Sequence, residues 1–271
     1  MEFGKVSPKE IGNIDFRLPP DRPETKSTIN NNPLPKNKKV KVFVGCAKWG
    51  RKEWVGKLYP KGTKDANFLE HYAKHFNCIE FNAMFYQIFP KATIEKWLSK
   101  VGKDFLFCPK FNNSTTHISR LKNAKNVTDV YLDAIYTFGK HLGPCFLQLS
   151  DNYGPKEFEN LKAYLKSLPK DLEVFIEVRH KEWFDPDNSK RLFDLLYETK
   201  FGTVITDASG RRDCVHMALT TPKAFVRFVG NGLHATDYTR IDDWVKRIKK
   251  WIDSGVHEIY FFMHQHDELH S

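Results

Sequence analysis

The chain has 271 residues, 41% of them hydrophobic and including 22 Phe, 10 Tyr and 6 Trp, which supplies a sizeable core and excludes a disordered chain. Its formal charge of +10 favours anionic partners by steering, and leaves open whether these are small phosphorylated or carboxylated compounds or nucleic acids. No run approaches eighteen apolar residues, and Met1-Glu2-Phe3-Gly4-Lys5 opens no apolar leader, so neither membrane spanning nor secretion is supported.

Gly12 to Lys39 is rich in Pro and Asn, with Pro19-Pro20, Pro23, Pro33 and Pro35, and has no period of 2 or 3.6. Residues 1–39 are therefore predicted to form an extended arm; docking of Ile14, Phe16 and Leu18 on the domain is the alternative. From Val40 the punctuation becomes regular. Strands are predicted at Val40–Cys46, Cys78–Asn82, Asp104–Lys110, Cys145–Leu149, Glu173–Val178, Gly202–Thr206, Ala224–Val229 and Glu258–Met263. Between them the apolar spacing predicts helices at Phe68–Phe76, Thr93–Val101, Val127–His141, Pro155–Leu168, Ser189–Thr199 and Arg240–Ser254. The piece Cys214–Thr221 is assigned to neither type.

Near-continuous apolar strands such as Val174-Phe175-Ile176 suit a parallel sheet covered on its outer face. Eight of them alternating with helices predict a single-domain TIM-type (β/α)8 barrel over residues 40–271. A doubly wound nucleotide fold is disfavoured, because Gly45-Cys46-Ala47-Lys48-Trp49-Gly50 lacks the GxGxxG spacing. Too few residues follow His264 for the final helix, so that helix is predicted to be missing. The outer faces of the first and last strands, with Val42, Val44, Ile259 and Phe261, then need cover from the arm, from a second copy in a homo-oligomer, or from sequence beyond this one.

Cys46, Cys78, Cys108, Cys145 and Cys214 form no Cys-x-x-Cys pair, and most lie in apolar segments. They read as free thiols in a reducing, cytoplasmic setting.

A parallel barrel collects the carboxyl ends of its strands at one mouth, where polar residues at strand ends are expected to meet. Glu177, between Ile176 and Val178, needs a cation, and Arg179, Arg227 and Lys110 are available. The expected site is an anion clamp: Lys110, Arg179 and Arg227 hold the ligand, Glu177 or His180 carries a proton, and Glu80, Asn82, Gln148 and Asp207 line the cavity. In this reading Lys110 and Arg227 reach Glu177 across the barrel, while the pair Glu177 and Arg179 support each other only indirectly. No metal site is assigned. His264 and His266, beside Asp267, share a face in extended backbone and permit ligation as the alternative, with Asp207, Glu177 or His180 completing the set, although no metal-specific spacing such as HExxH occurs. No cofactor is named by any motif. A nucleic-acid-processing role predicts Lys48, Arg51, Lys52, Lys110, Arg120, Arg211 and Arg212 around the mouth; a non-catalytic interaction module is the third reading.

From Val42 to Asp267 the chain resembles the YecE-like family, the conserved domain of unknown function 72. The resemblance is carried by Gly45-Cys46-Ala47-Lys48-Trp49, Phe76-Asn77-Cys78-Ile79-Glu80-Phe81-Asn82, Phe105-Leu106-Phe107-Cys108-Pro109-Lys110, Thr116-His117, Gly143-Pro144-Cys145-Phe146-Leu147-Gln148-Leu149, Glu177-Val178-Arg179-His180 and Val226-Arg227-Phe228. It implies a TIM-type barrel and no established reaction. It also implies a site built from Glu80, Asn82, Lys110, His117, Gln148, Glu177, Arg179, His180 and Arg227. Two places depart from the family's pattern: Val229-Gly230 stands where a His-Gly pair is usual, and Phe262-Met263-His264-Gln265-His266 where an Asn-rich segment is.

Overall fold

The computed structural model describes residues 3–266. Among them all eight predicted strands form: β1 (Lys41–Cys46), β2 (Cys78–Phe81), β3 (Leu106–Pro109), β4 (Cys145–Gln148), β5 (Val174–Glu177), β6 (Gly202–Asp207), β7 (Lys223–Gly230) and β8 (Glu258–Gln265). The helices are α1 (Pro23–Asn31), α2 (Phe68–His75), α3 (Ala83–Tyr86), α4 (Lys91–Leu98), α5 (Lys125–Tyr136), α6 (Phe158–Ser167), α7 (Pro186–Thr199) and α8 (Ala235–Asp253). No described helix is long and apolar enough to cross a membrane.

Helix α8 begins five residues before the predicted Arg240. The His234 side chain accepts a hydrogen bond from the Thr236 amide and caps the helix, while the Asp237 carboxylate holds the Asn231 amide at 2.8 Å. Residues 214–221 form no strand: a short 3-10 turn, Arg212–Cys214, is followed by irregular backbone.

The arm is not uniformly extended. Pro23 opens α1 at a position that needs no backbone donor, and the rest of the helix is set by tertiary partners that local sequence does not reveal. Thr25 Oγ1 donates to the Met217 carbonyl at 2.9 Å and accepts from the Leu219 amide at 2.9 Å. Asp21 receives Arg247 at 2.8 Å and the Trp251 indole at 3.0 Å. Ile29 of α1 joins Trp244 and Trp251 of α8 over Ile259 and Phe261, so arm and helix together cover β8. Val42 on β1 remains 41% exposed.

Every strand pair is parallel. Six strands form one curved sheet in the order β1-β8-β7-β6-β5-β4, and β2 pairs with β3 separately. The continuous eight-strand ladder expected from the sequence is therefore interrupted twice, giving a mixed α/β, barrel-like fold. Between β3 and β4 only single bridges occur, Phe107 with Leu142 and Lys110 with Phe146.

Between β1 and β2 side chains take over the ladder's work. Asn77 accepts from the Val44 amide and donates to the Val42 carbonyl, both at 2.8 Å. Tyr72 accepts from the Cys46 amide at 2.7 Å and donates to the Cys78 carbonyl at 3.0 Å. Gly45 permits this approach, since a Cβ there would collide with the Cys78 carbonyl. Tyr72→Phe leaves two buried backbone groups unpaired and is expected to cost about 1–3 kcal/mol. Urea unfolding checks this, and an unchanged midpoint would show that the seam does not depend on Tyr72.

One apolar cluster takes a residue from each of the eight strands: Phe43, Cys78, Cys108, Phe146, Phe175, Val204, Phe225 and Tyr260, with Phe262 added from β8. Gly202 makes room for it, because a Cβ there would strike the Phe175 ring. A larger core lies between the outer strand faces and helices α2 to α7.

Candidate functional site

Successive same-face positions on a strand are two residues apart, so the residues just beyond the apolar cluster form the next layer toward the carboxyl ends. From β2 to β8 these are Glu80, Lys110, Gln148, Glu177, Thr206, Arg227 and His264, all of them buried. A polar layer thus sits directly on an apolar one. Burying this much charge requires pairing, and the pairing is dense.

Arg227 is the centre of it. Its Nε and Nη2 donate to Glu80 at 2.8 Å each, and its Nη1 donates to Glu177 at 2.7 Å. Glu80 also receives Asn82 at 2.7 Å and lies 2.9 Å from His264 Nε2. Burial alone would raise the Glu80 carboxyl, but Arg227 and His264 outweigh it and hold that group well below the usual carboxylate range. Burial opposes ionisation of Glu177 in the same way, yet Arg179, Arg227 and Lys110 bring its carboxyl down to about 2. In that state Glu177 is an anion that positions Arg179 and Arg227.

Glu177 and Arg179 meet directly, with Arg179 Nε donating at 2.8 Å, whereas the sequence argument had them diverge. Strand β5 ends at Glu177, so Arg179 is released from the pleat and folds back. Its terminal nitrogens stay uncommitted to hydrogen bonds among the described residues; Nη1 lies 3.8 Å from the exposed carboxylate of Asp151. Lys110 does not ion-pair with Glu177 either. It donates to Gln148 Oε1 at 2.9 Å, with its ammonium 4.1 Å from the centre of the Phe85 ring. Burial chiefly, then repulsion from Arg227 and Arg179 against the pull of Glu177, lowers its pKa to about 7.

A cavity of about 570 Å³ opens above this layer, its wall including Lys48, Lys110, Gln148, Arg179, Arg227 and His264. Phe3 closes one side. Its ring lies 4.0 Å from the Arg179 guanidinium, and the next residue's carbonyl accepts from the Gly210 amide at 2.8 Å. A groove of similar size, about 610 Å³, runs between α5 and α6 past Leu121, Thr128 and Tyr164, but no buried charges converge on it.

Glu80, Asn82, Lys110, Gln148, Glu177, Arg179 and Arg227 thus come together as the sequence led one to expect. His117 stands at the edge, its ring edge-on to Phe85 at 5.0 Å; burial first, then the neighbouring Lys110 and Arg179, lowers its pKa. His180 is not in the cavity wall. It accepts from the Glu182 amide at 3.4 Å, capping the turn Lys181–Phe184.

Asp207 is also elsewhere. It lies an odd number of residues from Val204 and so faces outward, where Arg240 at 2.8 Å, the Trp244 indole at 2.7 Å and Arg212 hold it beneath α8. Thr206 takes the inward place, and strand alternation is the signal that identifies it. Phe3 gave no signal in the sequence.

His264 belongs to the ion-pair layer through Glu80, while Asp267 lies outside the described residues. Those residues contain no group of three or more His, Cys, Asp and Glu placed to hold a metal. Several cations expected around a nucleic-acid-binding mouth are engaged internally: Arg212 with Asp207, Arg211 with Asp213 at 2.7 Å, and Arg120 with Asn152 at 2.7 Å. All five cysteines are free and buried, and burial pushes the Cys46 and Cys145 thiols up to about 12.

Fold and site together define a barrel-like α/β protein with a caged ion-pair layer at the carboxyl ends of its strands. The chain belongs to the family described as Protein of unknown function DUF72, whose model matches residues 43–271. It is 25% identical over 245 residues to UPF0759 protein YecE of Escherichia coli K12, covering 83% of this chain and 87% of that one. With UPF0759 protein YunF of Bacillus subtilis it shares 27% identity over 154 residues, 54% of this chain and 53% of the relative. A crystal structure of a DUF72 family protein from Enterococcus faecalis superposes with a TM-score of 0.63 at 19% identity, covering 82% of this chain and 88% of that one. A second, from Thermotoga maritima, gives 0.60 at 20% identity over 83% and 92%.

Proposed function

We propose that the strands of residues 40–271 act as one closed eight-stranded barrel, that residues 1–39 are an arm docked on it, and that the mouth binds a small phosphorylated or carboxylated ligand. The apolar cluster drawing on all eight strands and the side-chain bridge between β1 and β2 support closure. One observation carries the ligand reading. Arg179 reaches the cavity wall with its Nε held by Glu177 and its terminal nitrogens uncommitted to hydrogen bonds among the described residues, while Glu80 and Glu177 are consumed beneath the wall by Arg227 and by that Nε. An oxyanion in the cavity would therefore meet Arg179 first, beside Asp151, the one acidic residue of the wall among the described residues.

In this reading Arg179 presents its terminal nitrogens to an oxyanion as charge-assisted donors. Glu177, Glu80 and Arg227 keep it in place. Asn82 and Gln148 supply neutral polar contacts, and His117 borders the rim. The buried free thiols favour a reducing compartment such as the cytoplasm.

Titration calorimetry with inorganic phosphate and with pyruvate tests the clamp. Arg179→Lys keeps the charge but loses the planar fork, and is expected to weaken binding of the better ligand about ten-fold or more. Equal affinity in the variant and the parent would remove Arg179 from this role.

A further inference from the structure

Among the cations of this layer Lys110 is set apart. Arg227 spends all three of its nitrogens on carboxylates and Arg179 spends one. Lys110 has no carboxylate within ion-pair distance among the described residues, and its one hydrogen-bond partner, Gln148 Oε1, is neutral. Such a partner accepts an N–H from an amine as well as the stronger one from an ammonium, supplies no counter-charge to fix the ammonium, and leaves the amine's lone pair free to point elsewhere. The rest of its surroundings also favour the uncharged form. The side chain is buried between the Phe85 and Phe146 rings, 4.1 and 6.0 Å from its nitrogen, and it shares the cavity wall with Arg179 and Arg227. Two wall residues also carry buried atoms with no hydrogen-bond partner among the described residues, Asn82 Oδ1 and His264 Nδ1; a bound polar ligand would satisfy atoms of this kind.

We infer that Lys110 is a nucleophilic amine that condenses with the carbonyl group of an oxo acid or a phosphorylated aldehyde or ketone held in this cavity. The inference rests on the anion-binding reading for the ligand's acidic end and adds the reacting group. The Nζ lone pair attacks the carbonyl carbon, one proton passes from nitrogen to the carbonyl oxygen to give a carbinolamine, and a second proton, taken from solvent, turns its hydroxyl into a leaving water. Loss of that oxygen as water leaves a C=N⁺ iminium on Lys110. Nitrogen ends with one positive charge, which the same burial and cationic neighbours disfavour, so the iminium is expected as a reactive intermediate and not as a resting state. A desolvated lysine beside other cationic groups is the general device for keeping such an amine unprotonated near neutral pH, in keeping with its pKa of about 7.

The test is reductive trapping on the full chain. Protein is incubated with pyruvate, or with neutral propionaldehyde, and treated with sodium borohydride, whose hydride converts an iminium to a stable secondary amine. Intact mass and peptide mapping then locate the adduct. The expected result is one dominant adduct, on Lys110, formed at least ten times faster than on exposed lysines, and absent in Lys110→Arg and Lys110→Met. Its rate should rise with pH through about 7, with Arg227, Arg179, Glu177, Glu80 and His117 as the charged or titratable neighbours that set the midpoint. Two variants are used because one of them can fail to fold, and circular dichroism of each is recorded first.

Adducts spread over surface lysines, or undiminished in both folded variants, overturn the proposal. If pyruvate binds in an Arg179-dependent way but neither probe is trapped on Lys110, the amine falls and the anion clamp stands. If propionaldehyde marks Lys110 as fast as pyruvate does, the amine is supported and the clamp is not.

Discussion

Arg227→Met is expected to destabilise the protein by about 3–5 kcal/mol, because it leaves two buried carboxylates without their shared guanidinium. The side chains of Arg227, Glu80 and Glu177 are at most 2% exposed, so water does not replace the lost bonds. Methionine is close enough in size to keep a cavity from dominating the loss. The sign of the pH response separates this account from simple packing damage. In the parent, Arg227 is among the groups that hold Glu80 below its ordinary pKa. Once it is removed, burial acts on Glu80 against fewer partners, His264, Asn82 and the more distant Lys110, and the carboxyl is expected to move above its unfolded value. A group whose folded pKa is raised stabilises the protein at pH values below its unfolded pKa, so the variant should recover part of its loss between pH 7 and about 5. Urea unfolding at the two pH values measures this. A variant that loses less than about 1 kcal/mol, or whose deficit relative to the parent grows on acidification, would count against the caged cluster.

The parent should behave in the opposite way. Glu177 titrates at about 2 in the folded chain against 4.5 for an ordinary glutamate, and Glu80 and Asp207 are also lowered, each by partners that outweigh burial. For a depressed carboxylate the stabilisation is complete above the unfolded pKa and is lost as pH falls through the folded one. Burial holds the His216 imidazole down at about 4, so stability is expected to decline gently as pH falls below about 6.5, and steeply from about 4.5 toward 2 as the carboxylates protonate. Glu177 alone accounts for roughly 3 kcal/mol of that fall. Glu177→Gln lowers stability at pH 7, since Arg179 and Arg227 lose an anionic partner, but it also removes one titrating group. Its stability should then decline less steeply with acid than that of the parent. Chemical unfolding at pH 7, 5, 4 and 3 makes the comparison, and parallel curves would remove Glu177 from the acid response.

The two outcomes depend on the same geometric fact, that carboxylates from β2 and β5 share an arginine from β7. Glu80 and Arg227 are separated by 147 residues in the chain. Glu80 on the two-stranded sheet and Arg227 on the six-stranded one come within bonding distance only through the packing of the two sheets.

Element order was legible in the sequence because a buried parallel strand has to be apolar on both faces and each helix on one. Those requirements leave periods that can be read without a partner, and all eight strands fall where they point. Most of the site was legible for the same reason. A charged residue two places beyond an apolar inward position, as in Phe175 and Glu177 or Phe225 and Arg227, declares both its face and its need of a counter-charge. Asp207 stands at odd parity from Val204 and so meets Arg240 and Trp244 outside the strand layer.

What the sequence left open depends on contacts between distant segments. Which cation serves which carboxylate is settled by register across strands and by where pairing ends. Lys110 finds Gln148 because β3 and β4 touch through single bridges, and Arg179 reaches Glu177 because β5 stops there. The helix in the arm is stabilised by Met217, Leu219 and α8, not by a local period. Phe3 is placed at the cavity by the bond from the Gly210 amide to the Gly4 carbonyl, made by groups every residue carries. Side-chain type and spacing encode the faces of an element, and these the sequence by itself determined; partners joined through backbone groups, strand ends and chain curvature carry no residue code, and only the tertiary structure decided them.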